Sequence, residues 1–199
     1  MRRLLIFAVV SLFAAAVCGF ASGCSRDRGD EVRLRTDPTV FYYLNKEANE
    51  LTESAVKNTF ARWDEATHFS FVYMGRRRAG LSRDGKNTVS FLTRWPSKVP
   101  MGKTGYCKNW YNRRGEIVES DIIFNMVIAK FTTLETRKPD SYYIEGVLAH
   151  EIGHMIGLGH IDSETSLMKP LSPPAESYFR GKIDEETLGQ YRRLYSDAD

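Results

Sequence analysis

Apolar residues recur along this chain with two different periods, and the two periods predict both helices and strands. The apolar positions Val56, Phe60 and Trp63 follow the i, i+4, i+7 spacing of a helix that packs one face on a core. We expect this helix to span residues 51–67, with Thr52 as its N-cap.

Short runs rich in aromatic and β-branched residues alternate with Gly, Pro, Asn and Asp, a pattern typical of strands separated by turns. The segment NRRGE at 112–116 has the composition of a hairpin turn between two of these runs. The strands predicted in this way are 69–74, 87–92, 104–111 and 116–125.

Two further helices are predicted in the second half of the chain. Asp140 or Ser141 is expected to cap a helix that runs into the histidine-rich segment after it. Leu188, Tyr191 and Tyr195 give the closing segment a buried face at helical spacing. Strands interleaved with three helices predict an α+β fold, built as a mixed α/β layer.

The composition is typical of one soluble globular domain, with 42% hydrophobic and 27% charged residues. A mature chain of about 175 residues is long enough to bury a sizeable core. The 28 basic residues include Arg2 and Arg3, which belong to a leader that contains no acidic residues. Without these two arginines the chain has 26 basic and 25 acidic residues, so its net charge is close to zero. This near-neutral balance argues against nucleic acid as a partner.

The first residues have the features of an export signal. Two arginines precede an apolar run at 4–17, which is too short for a stable membrane anchor and suits a signal peptide at residues 1–23. The segment ASGC at 21–24 resembles a bacterial lipobox, in which Cys24 would become the lipidated first residue of the mature protein. An ordinary signal peptidase site is the alternative.

These features predict an exported lipoprotein, anchored to a bacterial membrane through Cys24 at the outer membrane or cell surface. Without the lipid, the protein would be periplasmic or secreted. Residues 24–38 are polar and are expected to form a tether before a domain at 39–199. Cys18 leaves with the leader, so Cys107 has no partner for a disulfide within the mature domain.

The segment HEIGHMIGLGH contains three of the chain's four histidines and predicts a metal site. On a helix, His150 and His154 lie one turn apart on the same face and can bind one metal. Glu151 can reach a water on that metal without binding it, which suits a general base. Gly157 can adopt the left-handed conformation that ends a helix, and the turn would bring His160 back as a third ligand.

This segment resembles the HExxHxxGxxH signature of the metzincin metallopeptidases, which is followed by a turn containing methionine. Met168, in SLMKP, follows His160 after a short gap that is similar to the gap of the matrixin branch. The predicted strands and helices also follow the matrixin order. The resemblance implies a zincin-like catalytic domain with a twisted, mostly parallel sheet of about five strands and three main helices.

The resemblance also implies the activity of a zinc endopeptidase. One catalytic Zn²⁺ would be bound by the three histidines, with Glu151 as general base and Gly157 and Met168 as structural residues of the site. Residues 104–111 would bind an extended protein or peptide substrate along the sheet edge. We expect a monomer.

Calcium is a further metal of the matrixins, and Asp84, Asn87 and Asp121 are candidate ligands without an assignment. The second zinc of the animal enzymes is not expected, because His68 is the only histidine outside the motif. Two other functions stay open on the sequence. One is a zinc hydrolase that acts on a non-peptide amide of the cell envelope, and the other is a non-catalytic, metzincin-shaped binding lipoprotein.

Overall fold

The computed structural model describes residues 34–196 apart from 137, 139, 171–173 and 175–181, and the described residues belong to one compact unit. The predicted signal peptide and Cys24 lie outside the described residues. Within the part of the chain that is described, no helix is long and apolar enough to cross a membrane.

Five strands form the central sheet of the domain. They are β1 (Thr39–Asn45), β2 (Ser70–Arg77), β3 (Asn87–Leu92), β4 (Gly105–Tyr111) and β5 (Ile117–Asn125). Their order in the sheet is β2-β1-β3-β5-β4. All neighbouring strands are parallel except β4, which pairs antiparallel with β5 and leaves its other side as a sheet edge.

Three helices are described, and two of them pack together on one face of the sheet. They are α1 (Glu50–Ala66), α2 (Ile144–Met155) and α3 (Glu185–Tyr195). Val56, Phe60 and Trp63 of α1 are at most 1% exposed, which confirms the predicted buried stripe. The mostly parallel sheet and the three helices confirm the predicted mixed α/β fold class.

The predicted hairpin between β4 and β5 is confirmed. The backbone N–H of Asn112 donates to the carbonyl of Glu116 at 3.0 Å, which closes the turn. Gly115 within the turn has a φ of 83°, a left-handed conformation that favours glycine. This short connection places β4 at the edge of the sheet, directly beside β5.

The helix α2 begins later than the sequence predicts. Immediately before it, β7 (Tyr142–Tyr143) pairs with β6 (Phe131–Thr132) in a short parallel ladder. A residue in an extended strand cannot also lie in a helix, so α2 begins at Ile144 and no side chain caps it. The predicted caps, Asp140 and Ser141, are therefore wrong.

The other two helices also differ in detail from the prediction. α1 is capped by Asn49, whose Oδ1 accepts the N–H of Thr52 at 2.8 Å, so the predicted cap Thr52 lies inside the first turn. In α3, Tyr191 and Tyr195 are buried as predicted, whereas Leu188 is half-buried.

Candidate metal centre and active site

The candidate metal ligands His150 and His154 lie on α2, one turn apart, as their spacing predicts. Their Nε2 atoms are 3.1 Å apart. The opposite face of the helix is held by the fully buried side chains of Leu148, Ile152 and Met155, which belong to the main hydrophobic core. Packing of this apolar face therefore orients both imidazoles toward the same point.

Gly157 ends the helix in the left-handed conformation that the sequence predicts, with a φ of 91°. Its N–H donates to the His154 carbonyl at 3.0 Å, and the N–H of Leu158 donates to the Gly153 carbonyl at 2.9 Å. These are the two hydrogen bonds of a Schellman motif. The turn brings Nε2 of His160 to 3.2 Å from Nε2 of His154.

The hydrogen bonds of the imidazoles determine which nitrogen carries the proton. Nδ1 of His150 is 2.7 Å from the carbonyl of Leu167, and Nδ1 of His154 is 2.8 Å from the carbonyl of Leu158. A carbonyl only accepts, so both Nδ1 atoms are protonated and both Nε2 atoms keep a lone pair. Burial and nearby charged groups lower the pKa of His154 and His160, which keeps these rings neutral.

Two of the three Nε2 separations fit a tetrahedral zinc ion. Nitrogen ligands about 2.05 Å from zinc lie about 3.3 Å apart in that geometry. Nε2 of His154 is 3.1 Å from that of His150 and 3.2 Å from that of His160, and one ligand nitrogen of each histidine lies within 4.8 Å of the other two. The lone pairs of His150 and His154 repel each other at this distance, and a cation bound between them would remove the repulsion. Among the described residues, no other group of three His, Cys, Asp or Glu side chains is placed to hold a metal.

The loop that contains Met168 supports the histidines from the side of the core. The carbonyl of Leu167 receives the Nδ1–H of His150, and the Met168 carbonyl accepts the N–H of Ile161 at 3.0 Å, next to the third histidine. Met168 is fully buried, and a Cβ on Gly153 would overlap its sulfur. The loop and α2 are therefore in direct contact through a glycine.

Asp184 holds this loop through a contact that local sequence patterns do not reveal. Its Oδ2 accepts the N–H of Leu167 at 2.6 Å, while its Oδ1 accepts the N–H of Thr187 at 2.9 Å and so caps α3. Burial acts to raise the pKa of Asp184, but these hydrogen bonds outweigh it and lower the pKa below its usual value. The cap can be predicted from the sequence, but the contact with Leu167 cannot.

Glu151 lies beside the three histidines with its carboxylate against the edge strand. A Cβ on Gly105 would lie only 2.7 Å from Glu151 Oε1 and 2.7 Å from Val147 Cγ1, so the close approach requires glycine. Burial raises the pKa of Glu151 to about 8, while the charge of Lys103 and a hydrogen bond with the backbone of Cys107 act in the opposite direction. A proton acceptor of this kind next to a metal site can serve as a general base.

The candidate calcium ligands Asp84, Asn87 and Asp121 stay a prediction, because each already has a hydrogen-bond partner within the described residues. Their oxygens are engaged with protein groups instead, and this leaves calcium binding without an assigned site. The partners are the guanidinium of Arg77 for Asp84, the N–H of Ser120 for Asn87, and the N–H of Ser82 for Asp121.

The remaining histidine and the cysteine of the domain have other partners. Nδ1 of His68 is 2.5 Å from the hydroxyl of Tyr191, which joins the end of α1 to α3. Cys107 lies in β4, as predicted, and its thiol donates to Oδ1 of Asn109 at 3.4 Å.

The comparison with protein families agrees with this geometry. The family model described as Matrixin (Peptidase_M10) matches residues 36–196, which is most of the chain. No curated protein matches the sequence. The chain therefore belongs to the matrixin family, whose members are zinc metallopeptidases, and the three histidines fit the zinc site of that family.

Proposed function

We propose that this protein is a zinc-dependent endopeptidase in which His150, His154 and His160 bind the metal and Glu151 is the general base. The observation that carries the proposal is the convergence of the three histidines, with Glu151 next to His150 on the same helix, in a chain of the matrixin family. A zinc ion bound there would polarise the scissile carbonyl and lower the pKa of its water toward about 7.

The residues of the chain have separate tasks in this proposal. Glu151 takes a proton from the attacking water and passes it to the nitrogen of the leaving amine, so that the peptide bond breaks without a free amide anion. Leu158 and Leu167 hold the rings of His154 and His150 through their carbonyls, which preserves the tautomer that binds a metal.

The edge strand β4 suits the binding of an extended protein or peptide substrate. One side of β4 pairs with β5, and the other side is the edge of the sheet. A substrate strand can add to such an edge through backbone hydrogen bonds, which requires no particular side chain. Gly105 of β4 lies against Glu151, so a substrate on this edge passes beside the proposed base.

Substitution of the proposed base and of one proposed ligand tests the function. We expect Glu151→Gln to retain zinc, measured by metal analysis, and to lose at least about a hundredfold in kcat on a peptide library. His154→Ala is expected to lose both zinc and activity, because two imidazoles remain. The matched control is Glu145→Gln, since Glu145 is equally buried on the same helix but lies outside the site.

The outcomes separate this proposal from the two alternatives. A protein that binds one zinc but cleaves no peptide, while it releases amine from envelope amides, would be the non-peptide hydrolase. A protein that binds zinc and hydrolyses neither substrate would be the binding module. Full activity in the Glu151→Gln variant would refute the assigned base.

We also propose that the protein is exported and anchored through a lipid on Cys24, on the strength of the leader and of the segment ASGC. Growth with a radioactive fatty acid should label the wild type but not a Cys24→Ala variant. Absence of label from both would assign the protein to the periplasm or the medium instead, and equal labelling of both would place the lipid on a residue other than Cys24.

A further inference from the structure

Three carbonyls at the end of α2 each accept a hydrogen bond from a side chain outside the helix. They are the last two carbonyls of the helix and the carbonyl of its C-cap, Ile156. Nδ2 of Asn109 donates to the His154 carbonyl at 2.8 Å, and the hydroxyl of Tyr195 donates to the Ile156 carbonyl at 2.6 Å. The carbonyl between them, that of Met155, accepts Nε–H of Arg35 at 3.3 Å. Carbonyls at the end of a helix lack the N–H groups of a following turn, so other donors have to satisfy them. The His154 carbonyl also accepts the N–H of Gly157, and Asn109 is its second donor.

Arg35 connects the three donors into one buried network. Its second guanidinium nitrogen donates to Ser120 Oγ at 2.7 Å, and that hydroxyl donates to Asn109 Oδ1 at 2.7 Å. The backbone N–H of Arg35 donates to the hydroxyl of Tyr195 at 3.2 Å. The two other donors to the end of α2 are thus both held by Arg35, directly or through one hydroxyl.

A buried arginine is unusual, and its surroundings explain how this one is stabilised. Arg35 is 3% exposed, and its guanidinium donates to a carbonyl, a hydroxyl and the amide oxygen of Asn87, all of which are neutral. The C-terminal end of α2 supplies the negative partial charge of a helix dipole at this point. Burial lowers the pKa of Arg35, but an arginine side chain remains protonated at any physiological pH.

This end of α2 is also the place where the metal site is assembled. His154 is the last ligand on the helix, and Gly157 turns the chain toward His160 only three residues later. The 3.2 Å separation of the two Nε2 atoms therefore depends on where the end of the helix lies. A helix end that frayed or moved would change that separation before it disturbed the rest of the core.

We propose that Arg35 is a positioning residue of the metal centre, which holds the C-terminal end of α2 so that His154 and His160 meet at one metal ion. The inference rests on the proposed metal site. It gives residues 34–38, which the sequence predicts to belong to the tether, a role in supporting the metal centre. The same segment is bound to the sheet, because the Leu34 carbonyl accepts the N–H of Ile117 at 3.0 Å and the Pro38 carbonyl accepts the N–H of Ser70 at 2.8 Å.

The test compares zinc affinity and catalysis in full-length variants at position 35. Zinc affinity is measured by competition with a chromophoric chelator. Arg35→Met keeps the unbranched apolar part of the side chain without the charge or the donors, and we expect its zinc dissociation constant to rise about tenfold. At saturating zinc, kcat should fall while KM stays close to the wild-type value. Arg35→Lys should recover part of the zinc affinity, because an ammonium can still donate to the Met155 carbonyl.

A second pair of variants separates positioning from simple loss of stability. Ser120→Ala removes the hydroxyl between Arg35 and Asn109, and its zinc affinity should fall in the same direction by a smaller factor. Ile123→Ala removes buried volume from a different cluster of the core, with Trp95 and Val99, and should lower the melting temperature without a change in zinc affinity.

Wild-type zinc affinity in folded Arg35→Met would overturn the inference. If Arg35→Met does not fold, Ser120→Ala decides, and a zinc affinity equal to that of Ile123→Ala would overturn the inference as well. Failure of the wild type to bind zinc would instead refute the proposed metal site, so the two failures can be told apart.

Discussion

At the scale of single residues, the active site depends on how closely the backbone can approach a side chain. Gly105 lets the carboxylate of Glu151 lie directly on the edge strand, and Gly153 lets the sulfur of Met168 lie directly on α2. Gly157 serves a different purpose, because its φ of 91° is strained for any residue with a side chain. Each of these glycines therefore allows a position of a neighbouring functional group that a larger residue would prevent.

The contact of Gly105 with Glu151 gives a prediction for catalysis. In Gly105→Ala the new methyl group would overlap Oε1 of Glu151 and a methyl group of Val147, so the carboxylate has to move away. A displacement of about 1 Å can reduce a rate about a hundredfold, and we expect a fall in kcat of that order. Zinc content should stay at the wild-type level, since the three histidines are untouched.

Gly102→Ala is the matched control for that experiment. Gly102 lies in the loop before β4, and a Cβ at this position meets nothing within 4 Å. Its kcat should equal that of the wild type. Equal kcat values for Gly105→Ala and Gly102→Ala would show that the position of the Glu151 carboxylate does not limit the rate.

At the scale of elements, the loop that contains Met168 is held between α2 and α3. Asp184 caps α3 and binds the N–H of Leu167, whose carbonyl holds the ring of His150. One carboxylate therefore links the start of the last helix to a candidate metal ligand through a single residue, Leu167. The negative charge of the Asp184 carboxylate should therefore contribute to the free energy of unfolding of the domain.

We predict that Asp184→Asn lowers the free energy of unfolding at pH 7 by about 1–2 kcal/mol, because charged acceptors make the stronger hydrogen bonds. The pKa of Asp184 is lowered in the folded state, so its contribution is present above the unfolded value of about 3.9 and is lost as the pH falls through the folded pKa. The difference between the two proteins in urea titrations should therefore begin to shrink below about pH 4 and disappear below the folded pKa.

The exposed neighbour Glu185 provides the control for the pH dependence. Its side chain is 80% exposed and lies in the same first turn of α3. Glu185→Gln should leave the free energy of unfolding nearly unchanged between pH 4 and 7. A constant difference between wild type and Asp184→Asn across this range and below it would contradict the assigned charge effect.

The sequence predicts the central elements well because their signals are local. The helix stripe of Val56 and Phe60, the strand at 87–92 and the turn at Gly157 all depend on residues close together in the chain. The start of α2 could not be predicted from such signals. It is decided by the ladder between β6 and β7, which pairs two segments that are not adjacent in the chain. The residues around Ser141 give no sign of this pairing.

The same distinction applies to the candidate site. The three histidines and Glu151 belong to one local motif, so their positions follow once α2 and its final turn are known. Gly105 and Arg35 gain their importance only from contacts with α2, which are distant in sequence. Arg35 stands in a polar segment, and nothing in its neighbours indicates that it is buried.

At the scale of the whole molecule, the sheet packs against two hydrophobic clusters of different size. The larger cluster lies between the sheet and the helices and includes Trp63, Leu148 and Met168. A smaller one contains Trp95, Val99 and Ile123 on the other side of β5. The candidate metal ligands are thus attached to the larger cluster, and metal binding should be coupled to its stability.

Removal of the metal should therefore lower the melting temperature. A ligand present at a thousandfold excess over its dissociation constant stabilises the folded state by about 4 kcal/mol, which corresponds to a shift of about 10 °C for a domain of this size. Calorimetry with and without a chelator measures the shift. His154→Ala is the control, and its melting temperature should not respond to the chelator. A wild-type melting temperature that ignores the chelator would contradict the coupling.

The burial of Arg35 has a further consequence under the proposed lipid anchor on Cys24, because cleavage between Cys24 and the domain would release it from the membrane. A protease that cuts before Leu34 would release a domain that keeps the guanidinium at the end of α2. A protease that cuts after Arg35 would release a domain in which that helix end has lost its donor. Both cuts free the domain, and the side of Arg35 on which the protease cleaves would decide whether the released domain is active.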